Sequence, residues 1–160
     1  MAKKQASTLA EELKQSRPFS SIEEESYLSI VRTSAELSHQ TDQFLKPFGI
    51  TQSQYNVLRI LRGAGTDGLG RNQIAERMVT PTPDASRLLD RLEEFGWIKR
   101  KRGKQDLRQV NSYITAAGLK LLAKIDSPLA AFHKQQFPGV SKADLSTLVS
   151  ILSGLRASRQ

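Results

Sequence analysis

Residues 79–115 read V-T-P-T-P-D-A-S-R-L-L-D-R-L-E-E-F-G-W-I-K-R-K-R-G-K-Q-D-L-R-Q-V-N-S-Y-I-T. The first half has helical spacing. Ala85, Leu88, Leu89 and Leu92 fall on one face, and Gly96 follows the last turn as a C′ glycine. Two prolines cannot lie inside such a helix; Pro83 fits its first position, with Thr82 as N-cap. The second half changes period. Two short β-like runs flank a tip carrying Lys99, Arg100, Lys101, Arg102, Lys104 and Arg108 against one acid, Asp106. Trp97, Ile98, Val110 and Ile114 are the apolar residues expected to anchor this hairpin. A hairpin with a cationic tip fits the minor groove of DNA, whose negative potential attracts arginine and lysine.

Upstream, R-N-Q-I-A-E-R-M (71–78) reads as a short helix burying Ile74 and Met78. Gly63 to Gly70 holds four glycines and reads as a loop, with a residue or two near Leu69 able to pair with the hairpin. Before it, Thr51 caps a helix that buries Tyr55, Leu58, Ile60 and Leu61 and ends at Gly63. Short helix, turn, second helix and hairpin together are the order of a winged helix-turn-helix. Further out, Ser20 and Ser21 with Glu23 and Glu24 form overlapping capping signals. The helix they open runs from Ile22 to Phe44 and Leu45, where Pro47 stops it. Beyond the hairpin, Thr115 caps a long helix that Pro128 is predicted to kink. F-P-G-V (137–140) breaks the chain, and Ser141 with Asp144 caps a last helix bearing Leu145, Leu148, Val149, Ile151, Leu152 and Leu155. The expected class is mainly α (α+β), with six main helices and a small β-hairpin wing.

The charge balance points the same way. A net charge of +8 and a pI near 10.0 favour an anionic partner such as nucleic acid. That charge is segregated. Residues 22–46 carry five acids and two bases, a net of 5 − 2 = 3 negative, while residues 99–108 are 6 − 1 = 5 positive. One region repels phosphate and another attracts it, which implies an oriented DNA face. With no cysteine, the chain has neither thiol chemistry nor Cys-ligated zinc. Only His39 and His133 could supply imidazole, so no metal site and no cofactor is expected. No nucleophile motif or Gly-rich phosphate loop suggests an enzyme, so no catalytic residue is assigned. The start M-A-K-K-Q has no signal-peptide character, and no apolar run reaches membrane-spanning length. A cytoplasmic location without membrane attachment is the expectation.

With the apolar residues of 82–95 turned inward, Pro83, Ser86, Arg87 and Asp90 point outward. The first turns of such a helix address base edges in the major groove. Arg87 suits guanine O6 and N7, while Ser86 and Thr82 suit phosphates or base edges. Asp84 opposes this unless it caps the helix. In the wing, Asp106 stands two residues before Arg108 and can hold that side chain extended for a narrow minor groove. Blander readings are solvated charge on an amphipathic helix and cations that blunt a sheet edge. Six bases in ten residues exceed what blunting needs.

Residues 73–118 resemble the MarR family of bacterial transcription regulators. The likeness rests on I-A-E-R-M, then S-R-L-L-D-R-L-E-E-F-G-W-I, then D-L-R at the wing, then I-T-A-A-G. It implies a homodimer. Residues 22–50 and 115–160 would form a helical dimerisation lobe, 51–114 the winged helix-turn-helix, and 1–21 an N-terminal arm or short helix. It implies double-stranded DNA as partner, Arg108 in the minor groove and Asp106 bracing it. Together with Arg102 and Lys104, these complete the expected DNA-binding set in the wing. An aromatic or phenolic effector is expected in a cleft near His39, Tyr55 and Arg59. The resulting expectation is a sequence-specific, ligand-responsive repressor on a pseudo-palindromic operator. The alternative is a non-specific architectural DNA-binding protein, which keeps the charge and drops base readout.

Overall fold

A computed structural model describes residues 8–82, 84–102 and 110–158. The chain divides into two compact units, Met1–Gln52 and Ser53–Gln160. In the first, α1 (Leu9–Glu12) is a single turn closed by a Thr8/Glu11 capping box. α2 (Ile22–Leu45) starts where Ser21 accepts the Glu24 amide at 3.2 Å and Glu24 reaches back to the Ser20 amide at 2.6 Å. The Ser20 hydroxyl, which donates to the same carboxyl oxygen at 2.6 Å, and then the Ser20 amide hold the Glu24 carboxyl below the usual range. Pro47 ends α2 as expected, within a 3₁₀ turn (Lys46–Phe48) closed by Gly49.

The second unit holds the elements expected to form the winged helix-turn-helix. They are α3 (Gln52–Ala64, which begins at the boundary), β1 (Leu69–Gly70), α4 (Arg71–Arg77), α5 (Ala85–Glu94), β2 (Ile98–Arg102) and β3 (Val110–Ile114). α6 (Ala116–Gln135) and α7 (Lys142–Ala157) complete it. The sheet is antiparallel in the order β1-β3-β2, so the residue pair near Leu69 does join the hairpin, on its β3 side. In the hairpin, Ile98 lies opposite Ile114, Arg100 opposite Ser112 and Arg102 opposite Val110. Val57, Leu58, Leu61, Ile74, Leu92, Ile98, Leu122 and Ile125 are buried and form the core of this unit. Thr115 and Ser141 cap α6 and α7, as their sequences predict. α6 runs through Pro128 as one element.

Several local expectations need correction. Ile60, expected in the buried face of α3, is only half-buried. α3 continues through Gly63 to Ala64. One glycine in a last turn costs only about 1 kcal/mol, which the buried face of α3 outweighs. Met78 is half-buried, because α4 stops at Arg77 and its backbone turns extended there. Val110 does not anchor the hairpin: it is 47% exposed, while its strand neighbour two residues on, Ser112, is 1% exposed. Period-two alternation places both on one face, but only Ser112 lies far enough in to be covered.

Candidate nucleic-acid interface

The interface is built around α5. Its start differs from the sequence expectation. The helix opens at Ala85, and its N-cap is Asp84, whose Oδ1 accepts the Arg87 amide at 3.1 Å. Thr82 is therefore not the cap; its hydroxyl donates to the Thr80 carbonyl at 3.4 Å. Asp is a better cap than Thr and also suits the positive end of the helix dipole. The carboxylate that looked misplaced beside DNA is thus used by the helix itself. Pro83 lies outside the described residues.

The other end of α5 closes as predicted. Gly96 has φ +69°; its amide donates to the Glu93 carbonyl at 2.8 Å, and Trp97 N–H to the Leu92 carbonyl at 3.0 Å. This pair of bonds is a Schellman motif, which needs a left-handed residue and so favours glycine. It turns the chain straight into β2.

Along α5, Leu89 and Leu92 are buried, Ala85 and Leu88 half-buried, and Ser86, Arg87 and Asp90 exposed, as the helical spacing requires. The polar residues divide into two stripes. Ser86, Asp90 and Glu93 form the stripe that meets cations from neighbouring elements. Arg100 of β2 bonds to both acids: its Nη2 lies 2.7 Å from Asp90 Oδ1 and 2.6 Å from Glu93 Oε2, and its Nε donates to Glu93 Oε2 at 2.7 Å. The Arg100 amide also donates to Glu93 Oε1 at 2.9 Å. The Arg100 side chain holds the Glu93 carboxyl below the usual carboxylate range, and Glu93 in turn raises Arg100. One of the six wing cations is therefore a strut between wing and α5 and is already neutralised. On the other stripe, Arg87 is largely exposed and pairs with Asp84 at 3.0 Å.

A cleft of about 610 Å³ opens between the start of α4, α5 and the sheet, lined by Arg71, Ser86, Leu89, Arg100, Val110 and Ser112 among others. Arg71 Nη1 donates to Ser86 Oγ at 3.3 Å across it. The turn between α4 and α5 is tied to α3, where Asn56 Oδ1 accepts the Val79 amide at 2.9 Å. Val79 itself is 85% exposed. The wing base is knotted to α6: the Thr115 hydroxyl is shared between the carbonyls of Gly96 (2.7 Å) and Trp97 (3.0 Å) and caps the Gly118 amide at 3.2 Å.

Of the expected site residues, the structure brings Ser86, Arg87 and Arg102 to the surface of one unit, with Thr82 half-buried ahead of α5. Lys104, Asp106 and Arg108 lie outside the described residues. Tyr55 is buried in α3 with the Arg59 guanidinium 5.9 Å from its ring centroid, and burial raises its phenol above the ordinary value. His39 is exposed and belongs to the first unit. Sequence reasoning missed Arg71, Asn56 and the Arg100 strut. For Arg100 a signal existed: two acids three residues apart on α5 precede a strand with four consecutive cations, Lys99 to Arg102.

Residues 50–110 match the model of the MarR family. A MarR transcription factor from Planctomyces limnophilus has a fold similar to this chain, with 32% identity, 85% of this chain and 98% of that one covered, and a TM-score of 0.66. The chain belongs to the MarR family. It is a DNA-binding transcription regulator of the winged helix-turn-helix kind. Another similar structure is the S. aureus MepR–DNA complex, 30% identical, covering 83% of this chain and 96% of that one, with a TM-score of 0.73. Among curated sequences, the uncharacterized HTH-type transcriptional regulator YwoH of Bacillus subtilis (strain 168) is 29% identical over 99 residues, 62% of this chain and 70% of its own. In this MarR-family chain no described helix is long and apolar enough to cross a membrane.

Proposed function

We propose that this MarR-family chain acts in the cytoplasm as a homodimer that binds a pseudo-palindromic operator and represses transcription until a small aromatic or phenolic effector binds. One observation carries the DNA reading most strongly. The exposed first turn of α5 (Ser86, Arg87) and the cationic strand β2 are locked together by Arg100 on Asp90 and Glu93. A fixed angle between reading helix and wing lets one rigid body engage a major groove and the adjacent minor groove. Thr82, Ser86 and Arg87 address the major groove; Arg102, Lys104 and Arg108 address the minor groove and its phosphates, with Asp106 bracing Arg108.

The homodimer reading is supported by apolar side chains left in water by a single chain. α7 buries none of its residues, and Leu148, Val149, Ile151 and Leu155 are between 43% and 64% exposed. α2 likewise exposes Ile22, Ile30 and Val31. Such faces mark protein contacts, and a two-fold dimer would set two α5 helices about 34–36 Å apart on DNA. The effector reading rests on Tyr55 and Arg59, an aromatic ring and a cation in contact. Selection of bound sequences from random duplexes, followed by gel shift with and without phenolic compounds, tests the whole. Equal retardation of selected and scrambled duplexes would replace this reading with a non-specific architectural role.

A further inference from the structure

Three guanidinium groups bond to side chains at α5 or its cap. Arg87 pairs with Asp84, and Arg100 with Asp90 and Glu93. Arg71 is different. It is exposed, and its bonds run to neutral acceptors: Nη1 to Ser86 Oγ at 3.3 Å and Nη2 to Asn72 Oδ1 at 3.5 Å. No ion pair neutralises it among the described residues. Its full charge stands beside the first turn of the reading helix, with most of its N–H donors uncommitted among the described residues.

We propose that Arg71 is a DNA-contacting residue of this regulator, binding an operator phosphate at the edge of the groove that α5 enters and holding the Ser86 hydroxyl toward that groove. The proposal rests on the operator-binding reading above. The geometry behind it is local. β1 pairs with β3, and Gln73 Oε1 accepts the Gly70 amide at 2.9 Å, so the start of α4 is fixed against the wing sheet. From there the Arg71 side chain spans the cleft to Ser86. Ser86 lies in the turn of α5 that meets base edges, and each groove is walled by phosphates. A guanidinium within hydrogen-bonding distance of Ser86 is therefore within reach of one, and its planar fork matches two phosphate oxygens. Asp84 and the Asp90–Glu93 pair blunt the attraction of Arg87 and Arg100, which leaves Arg71 to supply charge where those two cannot.

The test is a salt series of binding affinities, read by fluorescence anisotropy on a duplex selected by the wild-type protein. Wild-type binding that ignores sequence would sink the operator reading and is scored first, separately. Each phosphate contact contributes about 0.9 to the slope of log affinity against log salt, or about eightfold in affinity between roughly 1 M and 0.1 M salt. Arg71→Ala is expected to lower the slope by about 0.9 per chain, and Arg71→Lys, which keeps the charge, to retain it. Ser86→Ala is expected to leave the slope unchanged. A wild-type slope in Arg71→Ala overturns the proposal, whether affinity is intact or reduced, since reduced affinity alone would mean a tether between α4 and α5. A lost slope in a folded Arg71→Lys protein overturns it as well.

Discussion

Gly118 sits in the first turn of α6, where a helix would ordinarily gain from alanine. Here the opposite is expected. A Cβ at this position would collide with the Trp97 carbonyl oxygen and lie 2.8 Å from Ile114 Cγ1. Neither neighbour can yield cheaply. The Trp97 carbonyl accepts the Thr115 amide and the Thr115 hydroxyl, both at 3.0 Å, and Ile114 is paired in the sheet opposite buried Ile98. The gain in helix propensity is about 1 kcal/mol. Overpacking costs about 1–3 kcal/mol, and weakening the Thr115 cap about 1 kcal/mol more. With the packing cost at the middle of that range, about 2 kcal/mol, the cap and propensity terms cancel and Gly118→Ala should destabilise by about 2 kcal/mol net. For a chain of this size that lowers Tm by about 4–8 °C. Thermal unfolding by circular dichroism at fixed protein concentration measures it. Gly63→Ala is the internal control: nothing lies within 4 Å of a Cβ there, so propensity should win and Tm should hold or rise. A Gly118→Ala protein that melts at or above wild type would refute the reasoning, because the wing-to-α6 knot would then be slack.

Glu93→Gln should lose stability relative to wild type near neutral pH and converge with it in acid. The folded Glu93 carboxyl is lowered by the Arg100 hydrogen bond, so its contribution is full above the ordinary carboxylate range. It fades as pH falls through that lowered value, and parallel urea curves at neutral and acid pH that kept a constant gap would contradict this. Leu148→Asp should give monomers and lose operator binding together; sedimentation showing an intact dimer would remove α7 from the interface. Arg108→Ala should weaken operator binding with an unchanged melting temperature, measured by anisotropy and circular dichroism on the same sample; a matching fall in Tm would assign Arg108 a role in folding instead. Leu92→Ala, at a fully buried position, should cost about 2–5 kcal/mol by urea unfolding, and a cost under 1 kcal/mol would place Leu92 outside the core.

Much of the fold was readable because its signals are local. The Gly96 cap, the Thr115 and Ser141 caps, the Pro47 stop and the switch from helical to alternating period each depend on residues within a turn of one another. Where two local signals competed, the reading slipped. Thr82 and Asp84 are both capping residues, and proline spacing favoured the first, yet the carboxylate took the role. The exposed face of α5 followed from 3.6-residue geometry, so Ser86 and Arg87 were found. Arg71 was not, because it stands fifteen positions before Ser86 on a different helix, and only tertiary packing brings the two together.

The sequence by itself determined the class of this protein: a short helix, a second helix with a cationic hairpin behind it, and charge of opposite sign on separate segments. These follow from periodicity, capping chemistry and composition, which need no long-range contact. The tertiary structure decided which charges are available. It committed Arg100 to Asp90 and Glu93, placed Asp84 on the α5 amide and Arg87 beside it, and left Arg71 without an acid among the described residues. Counting cations along a chain cannot make that distinction, because an ion pair depends on two side chains meeting at about 3 Å, and only the folding of α4, α5 and the wing onto one another sets which of them meet.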